Sequence, residues 1–255
     1  MKLKSLFLLL LIVSPFMVEA QKDIKKERIS TTMFSATYSY QFPGADTKVI
    51  YGNNSTVGAS VLYKTDKNWL WTANANFIFG EKISASREDI LGIILDSNGE
   101  LITGDGIWGS YAMFERGYHL QAKVGKVFNV CAPNPNCGFF INGGLGYLLN
   151  RIRIEFSSYA STPPNLADDY RYGYDRMRGG FAYSGEIGYM YLSNSRVLNF
   201  SVSLEFIQAH TKSLRQWDFN LMGPDLKNYI DRYYGIRVAI FIPTYKRMPL
   251  DYYYY

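Results

Sequence analysis

The stretch YAMFERGYHLQAKVGKVF, residues 111–128, decides how the rest of this 255-residue chain is read. Ala112, Phe114, Tyr118, Leu120, Ala122 and Val124 occupy one phase of a two-residue alternation, and Glu115, His119, Gln121 and Lys123 the other. Successive side chains of a strand point to opposite faces, so this pattern marks a strand with one apolar and one polar face. Glu115-Arg116-Gly117 is the one place where a turn could interrupt it. The phase runs unbroken through that tripeptide, which predicts a single long strand. A turn there would spoil both the strand count and the orientation of the connections.

The same alternation recurs in seven other segments. Their apolar phases run Phe34 to Phe42, Val57 to Tyr63, Trp69 to Phe79, Phe139 to Leu149, Phe181 to Tyr191, Leu198 to Phe206 and Tyr234 to Ile242. Two folds accommodate eight such strands. A soluble β-sandwich would bury the apolar face; an outer-membrane barrel would turn it to lipid and fill its lumen with the polar one. Three features favour the barrel. Glu115, Lys123, Glu186, Glu205 and Arg237 lie mid-strand on a face otherwise rich in Gly, Ser and Asn, which suits a narrow interior. Aromatics gather toward strand ends, as Tyr63 and Trp69 do around one connection and Tyr189 and Tyr191 before another, which resembles an interfacial girdle. Connections alternate in length: Thr65–Asn68, Asn129–Cys137 and Ser193–Arg196 are short, whereas Glu81–Gly109, Ser157–Arg178 and Ser213–Arg232 are long. Short periplasmic turns and long extracellular loops are the outer-membrane pattern. The expected fold is therefore all-β, an eight-stranded antiparallel transmembrane barrel with both termini in the periplasm.

Composition removes other classes. Charged residues at 19% beside 22 Tyr, 16 Phe and 4 Trp exclude a disordered chain. Two Cys exclude a disulfide scaffold or a zinc-finger array. No run of 18 apolar residues exists, so no helical span is expected. The net charge of +5 is spread along the chain, too weak a footprint for nucleic-acid binding. Met1 to Ala20 reads as a secretory signal peptide: Lys2 and Lys4 precede the apolar run Leu6–Val13, and Ala20 ends it. The expected organisation is a signal peptide at 1–20, a periplasmic segment at 21–32, the barrel at 33–245 and a periplasmic tail at 246–255. Lys22 to Arg28 reads as a disordered leader, and the bacterial outer membrane is the expected location.

Two sequence features carry a resemblance. The last strand reads Tyr233-Tyr234-Gly235-Ile236-Arg237-Val238-Ala239-Ile240-Phe241-Ile242-Pro243, and strands five and six alternate Gly with aromatics. In these the mature chain resembles the small eight-stranded outer-membrane barrels common in Bacteroidota. That resemblance implies a final strand ending in an aromatic. Here Tyr245 lies just past the strand and the chain continues to Tyr252-Tyr253-Tyr254-Tyr255, a departure from the pattern. Some barrels of this broad group are accessory parts of secretion or barrel-assembly machinery, which the resemblance extends to this chain as an expectation.

Candidate chemistry is sparse. His119 falls on the lumen phase and is expected to be hydrogen-bonded there. His210 with Asp168, Asp169 or Asp218 could form a rim site on paper, but no Gly-x-Ser-x-Gly elbow and no metal-spaced His pair accompanies them. No enzyme, cofactor or metal is expected. Glu115, Lys123, Glu186, Glu205 and Arg237 are expected to form a lumen charge network, with the planar fork of Arg237 at its centre. Cys131 and Cys137 bracket a Pro-rich turn and are expected to form a disulfide in an oxidising compartment. Ser86 with Asp89 predicts a short capped helix in the long third connection. In the outer loops Tyr172, Tyr174, Arg176, Trp217, Phe219 and Tyr229 are the residue types enriched at interface hot spots, and are the candidates for partner contact. Self-packing of the loops over the barrel mouth is the alternative use for them. The leading functional expectation is a non-enzymatic barrel that touches outer-membrane lipid and a protein partner as a structural or accessory subunit. A surface-binding or adhesion barrel comes second, and a rim-site enzyme third.

Overall fold

Eight long strands pair in sequence order. In the computed structural model, which describes residues 24–156, 161–194 and 198–244, they are β1 (Thr31–Gly44), β2 (Asn54–Lys64), β3 (Trp69–Gly80), β4 (Tyr111–Phe128), β5 (Gly138–Phe156), β6 (Arg178–Leu192), β7 (Asn199–Ser213) and β8 (Asn228–Pro243). Each is antiparallel to the next, and β8 returns to β1 over twelve residue pairs, from Met33 opposite Pro243 to Gly44 opposite Arg232. The sheet closes on itself and leaves no barrel edge unpaired. β4 runs uninterrupted through Glu115-Arg116-Gly117, with Phe79 opposite Arg116 and Gly80 opposite Glu115. The single-strand reading of 111–128 is thus the observed one.

The barrel is inside out relative to a soluble fold. Along β1 the small or polar Ser35, Thr37, Ser39 and Gln41 are buried, while Phe34, Tyr38, Tyr40 and Phe42 stand exposed. β8 repeats the pattern, with Arg237 buried between the exposed Ile236 and Val238. Around the outside, an aliphatic band that includes Val57, Leu120, Leu145, Val202, Leu204 and Ile240 is exposed. Aromatic pairs flank it. Phe139–Tyr189 and Tyr191–Phe200 lie toward the short-turn end, and Phe77–Tyr118 and Phe206–Tyr234 toward the other. Contiguous apolar surface of this extent has no place in water, whereas an apolar band between aromatic girdles matches a bilayer. No described helix is long and apolar enough to span a membrane.

Glycines make the narrow interior possible. Gly144 faces Lys123 across the β4–β5 pair, and a Cβ there would meet the Ala122 carbonyl oxygen at 2.1 Å and Lys123 Cγ at 2.8 Å. Only a residue without a side chain lets the Lys123 stem pass at that level.

Both mouths are filled. At the short-turn end a cluster of Met33, Leu62, Leu70, Val127, Phe140 and Phe241 packs across the lumen. The segment before β1 closes over it. Ile24 and Ile29 are buried, and Asn136 donates to the Ile24 and Glu27 carbonyls and accepts from the Ile29 amide. Lys64 adds donations to Asn136 Oδ1 at 2.8 Å and to the Ile29 carbonyl at 3.2 Å. The part of the expected leader that lies within the described residues is therefore folded into the barrel mouth. Its backbone polar groups are captured by one buried amide, a contact that no local pattern in 24–29 foretells. The expected signal peptide and Tyr tail lie outside the described residues.

At the long-loop end a second cluster joins α1 (Ala45–Ile50), α2 (Arg87–Leu91), a small hairpin of Leu101–Ile102 with Trp108–Gly109, and the loops after β5 and β7. Ile50, Tyr51, Ile90, Leu91, Leu166 and Tyr174 form its buried centre. α2 begins with the predicted capping box, in which Ser86 Oγ accepts from the Asp89 amide and Asp89 Oδ2 accepts from the Ser86 amide.

The Cys pair departs from expectation. Both thiols are free. Cys137 is buried, where its Sγ accepts from the Leu192 amide and donates to the Leu192 carbonyl, while Cys131 is exposed. Side chains close the turn in place of a disulfide: Asn129 donates to the Asn134 and Cys137 carbonyls, and Asn134 to the Leu192 carbonyl. Burial pushes the Cys137 thiol above its ordinary pKa, which suppresses the reactive thiolate.

Candidate functional site

Two polar groups occupy the lumen between the apolar mouths. The inner one is centred on Lys123, whose ammonium reaches Glu205 at 2.9 Å and Glu186 at 3.0 Å. Glu205 also meets Arg237 Nη1 at 3.3 Å and accepts from Gln121, and Glu186 accepts from Ser203. Four of the five predicted charges thus come together. Lys123 rather than Arg237 bridges the two carboxylates, because Arg237 spends its other terminus on Asn74. Glu115 does not join them. A layer of Ile78, Leu148, Ala182, Ile207 and the Tyr233 ring separates it from that group. Glu115 accepts instead from Asn54 at 2.8 Å and from the Tyr233 hydroxyl at 2.8 Å. His119, expected to be hydrogen-bonded, is buried with neither ring nitrogen within reach of a protein partner. The four inner charges fill space and pair with one another, the expected role of ionised groups shielded from water in a packed lumen.

Among the described residues, the predicted contact residues share ligand-sized space at the outer face. Tyr172, Arg176, Trp217 and Tyr229 line one cavity of about 130 Å³ together with Arg178 and Arg215. A broader concavity of about 540 Å³ beside it is formed by Tyr170, Tyr172, Trp217 and Phe219. Of the other two predicted contact residues, Phe219 lines this concavity and Tyr174 acts as structure. Tyr174 is buried, and Phe219 stacks on it with ring centroids 4.9 Å apart, so both hold the loops down over the mouth. The Arg171 and Arg215 guanidinium groups lie over the Tyr172 ring, at 5.2 and 4.2 Å from its centroid. Arg215 pairs through both nitrogens with Asp175, which ties the loop after β7 to the loop after β5.

Arg178, Arg215 and Asp175 were not among the predicted site residues. Arg178 reads in sequence as the end of a loop, and only the pairing of β6 shows that it points inward at the rim. The rim His fails to assemble with its acids. His210 is exposed on the outer wall, its ring 6.1 Å from that of Tyr183, while Asp218 caps a turn by accepting from the Asn220 and Leu221 amides. Among the described residues no group of three or more His, Cys, Asp or Glu is placed to hold a metal.

An edge-free barrel with an apolar belt outside, paired charges inside and a folded cap at the long-loop end defines a class: the chain is an eight-stranded transmembrane β-barrel of the outer-membrane type. Among solved structures it is similar to Ail, the attachment invasion locus protein of Yersinia pestis, at 9% identity and a TM-score of 0.45, covering 84% of this chain and 99% of that one. The complex of Ail with the heparin analogue sucrose octasulfate aligns at 10% identity and a TM-score of 0.44 over the same shares. The outer membrane protein OprG from Pseudomonas aeruginosa aligns at 11% identity and a TM-score of 0.39, covering 86% of this chain and 99% of that one. No family model and no curated protein matches the chain.

Proposed function

We propose that this protein is a non-enzymatic, non-conducting outer-membrane barrel that binds a ligand outside the cell through its loop cap. One observation carries the reading. The lumen is filled from mouth to mouth, whereas Tyr172, Arg176, Trp217 and Tyr229 converge from two loops and the start of β8 on an outward cavity. Aromatic rings and Arg on a rigid support are the composition of a binding surface. The test is direct binding of the folded, detergent-solubilised barrel to an array of matrix proteins and glycans. Binding that the Tyr172→Ala, Trp217→Ala pair reduces at least tenfold supports the reading. Failure of the wild-type barrel to bind any surface contradicts it.

A second reading, the accessory subunit of a secretion or barrel-assembly machine, is favoured by a concavity of about 430 Å³ on the membrane face. Ala36, Ala59, Ala73 and Ala75 lie side by side there, walled by Phe34 and Ile242. Small residues let another membrane protein approach closely. Co-purification of a stoichiometric membrane protein, lost on Ala59→Phe, is the outcome this reading requires. Membership in the Bacteroidota group belongs to the same proposal and is supported by the sequence of β5, β6 and β8.

A further inference from the structure

Arg178 is the first residue of β6 and points into the rim. It is 2% exposed, yet among the described residues its Nε, Nη1 and Nη2 find no hydrogen-bond partner. A buried guanidinium whose donors make no hydrogen bond is costly, because they have left water unsatisfied. It forms a buried ion pair with Asp231, whose Oδ1 lies 3.5 Å from Nη2, a contact that makes no hydrogen bond. That carboxylate is already engaged, accepting from Thr47 at 3.0 Å and from Thr211 at 2.6 Å. The Tyr229 ring covers one face of the guanidinium at 4.3 Å and holds its plane. Arg176 contributes a second unmet donor, its Nε, and keeps its place by donating to the Asp89 carbonyl.

Both arginines line the cavity of about 130 Å³ described above. That is many times the ~10–15 Å³ one water needs, so a multi-atom group fits. The acids around it are turned to other donors. Asp175 holds Arg215, Asp225 accepts from the Tyr229 hydroxyl and the Lys227 amide, and Asp218 caps its turn. Their charges offset part of the positive field, so recognition there depends on the geometry of free donors rather than on net charge. A planar fork with its donors free is matched by an oxyanion, bidentate to a carboxylate, sulfate or phosphate.

We propose that the Arg176–Arg178 cavity is a binding site for an oxyanion group carried by the external ligand. The proposal rests on the reading that the loop cap binds outside ligands and names the chemistry it selects. The experiment is isothermal titration of the full chain, folded in detergent at constant ionic strength, with acetate, inorganic sulfate and inorganic phosphate. Glucuronate and phosphatidylglycerol vesicles serve as sugar-borne and lipid-borne probes. Saturable binding of at least one probe is expected, weakened tenfold or more by Arg178→Lys, which keeps the charge and loses the fork. Arg176→Gln, away from Asp231, should weaken it at least threefold and keeps the test open if the first variant does not fold. Which carrier binds best identifies the source. Absence of saturable binding by every probe, or binding that both variants retain in full, overturns the proposal. Matrix or glycan binding that persists in Arg176→Gln would do so while leaving the loop-binding function intact.

Discussion

At the residue scale, the lumen turns on Lys123. It alone contacts both Glu186 and Glu205, so its removal strands two carboxylates in a packed interior. Lys123→Met is expected to cost about 3–5 kcal/mol of stability, the range for breaking a buried pair. Arg237→Ala should cost less, since Glu205 keeps Lys123 and Gln121. Urea unfolding in detergent micelles, followed by the shift from the compact to the extended gel form, checks the order; a larger loss for Arg237 would contradict it. The neighbouring strand is equally exacting. Gly144→Ala places a methyl against the Ala122 carbonyl and the Lys123 stem, and should cost about 1–3 kcal/mol in the same assay. That charges lie on the lumen phase was legible from alternation alone. Which charge bridges which was not, because pairing across the lumen depends on barrel shear and on side-chain reach, neither of which is local.

At the scale of elements, strands were read more accurately than connections. β4 and the alternation of long and short links follow from a two-residue period that each strand carries within itself. The capping box of α2 was visible for the same reason, as a pattern spanning four residues. The described part of the Lys22–Arg28 leader, expected to be disordered, is ordered instead by Asn136, more than a hundred positions away. Tyr174 is buried rather than presented for contact, and composition does not distinguish a ring that faces out from one that pins a loop. The disulfide expected of Cys131 and Cys137 failed for a related reason, since Asn129 and Asn134 already close that turn. If Asn136 is the clasp of the N-terminal segment, Asn136→Ala should free Lys25 and Lys26 to trypsin while the barrel stays folded. N-terminal sequencing of the digest reads this out, and an unchanged cleavage rate would show that other contacts suffice.

At the scale of the whole molecule, the account is of a sealed barrel that displays a folded cap. Apolar layers at both mouths and paired charges between them leave no continuous water path through the described lumen. Planar-bilayer recordings of the purified barrel should show no unitary conductance, and discrete channel openings would refute the seal. The central claim is the inside-out barrel with its long loops outside the cell. Labelling with a membrane-impermeant maleimide tests it most directly, in a Cys131→Ser background that removes the exposed native thiol. Leu226, 85% exposed in the loop after β7, and Asp66, in the short turn between β2 and β3, mark the two ends. Leu226→Cys should react on intact cells and Asp66→Cys only after the outer membrane is permeabilised. Labelling of Asp66→Cys but not Leu226→Cys on intact cells, or recovery of both variants in a detergent-free soluble fraction, would contradict the account.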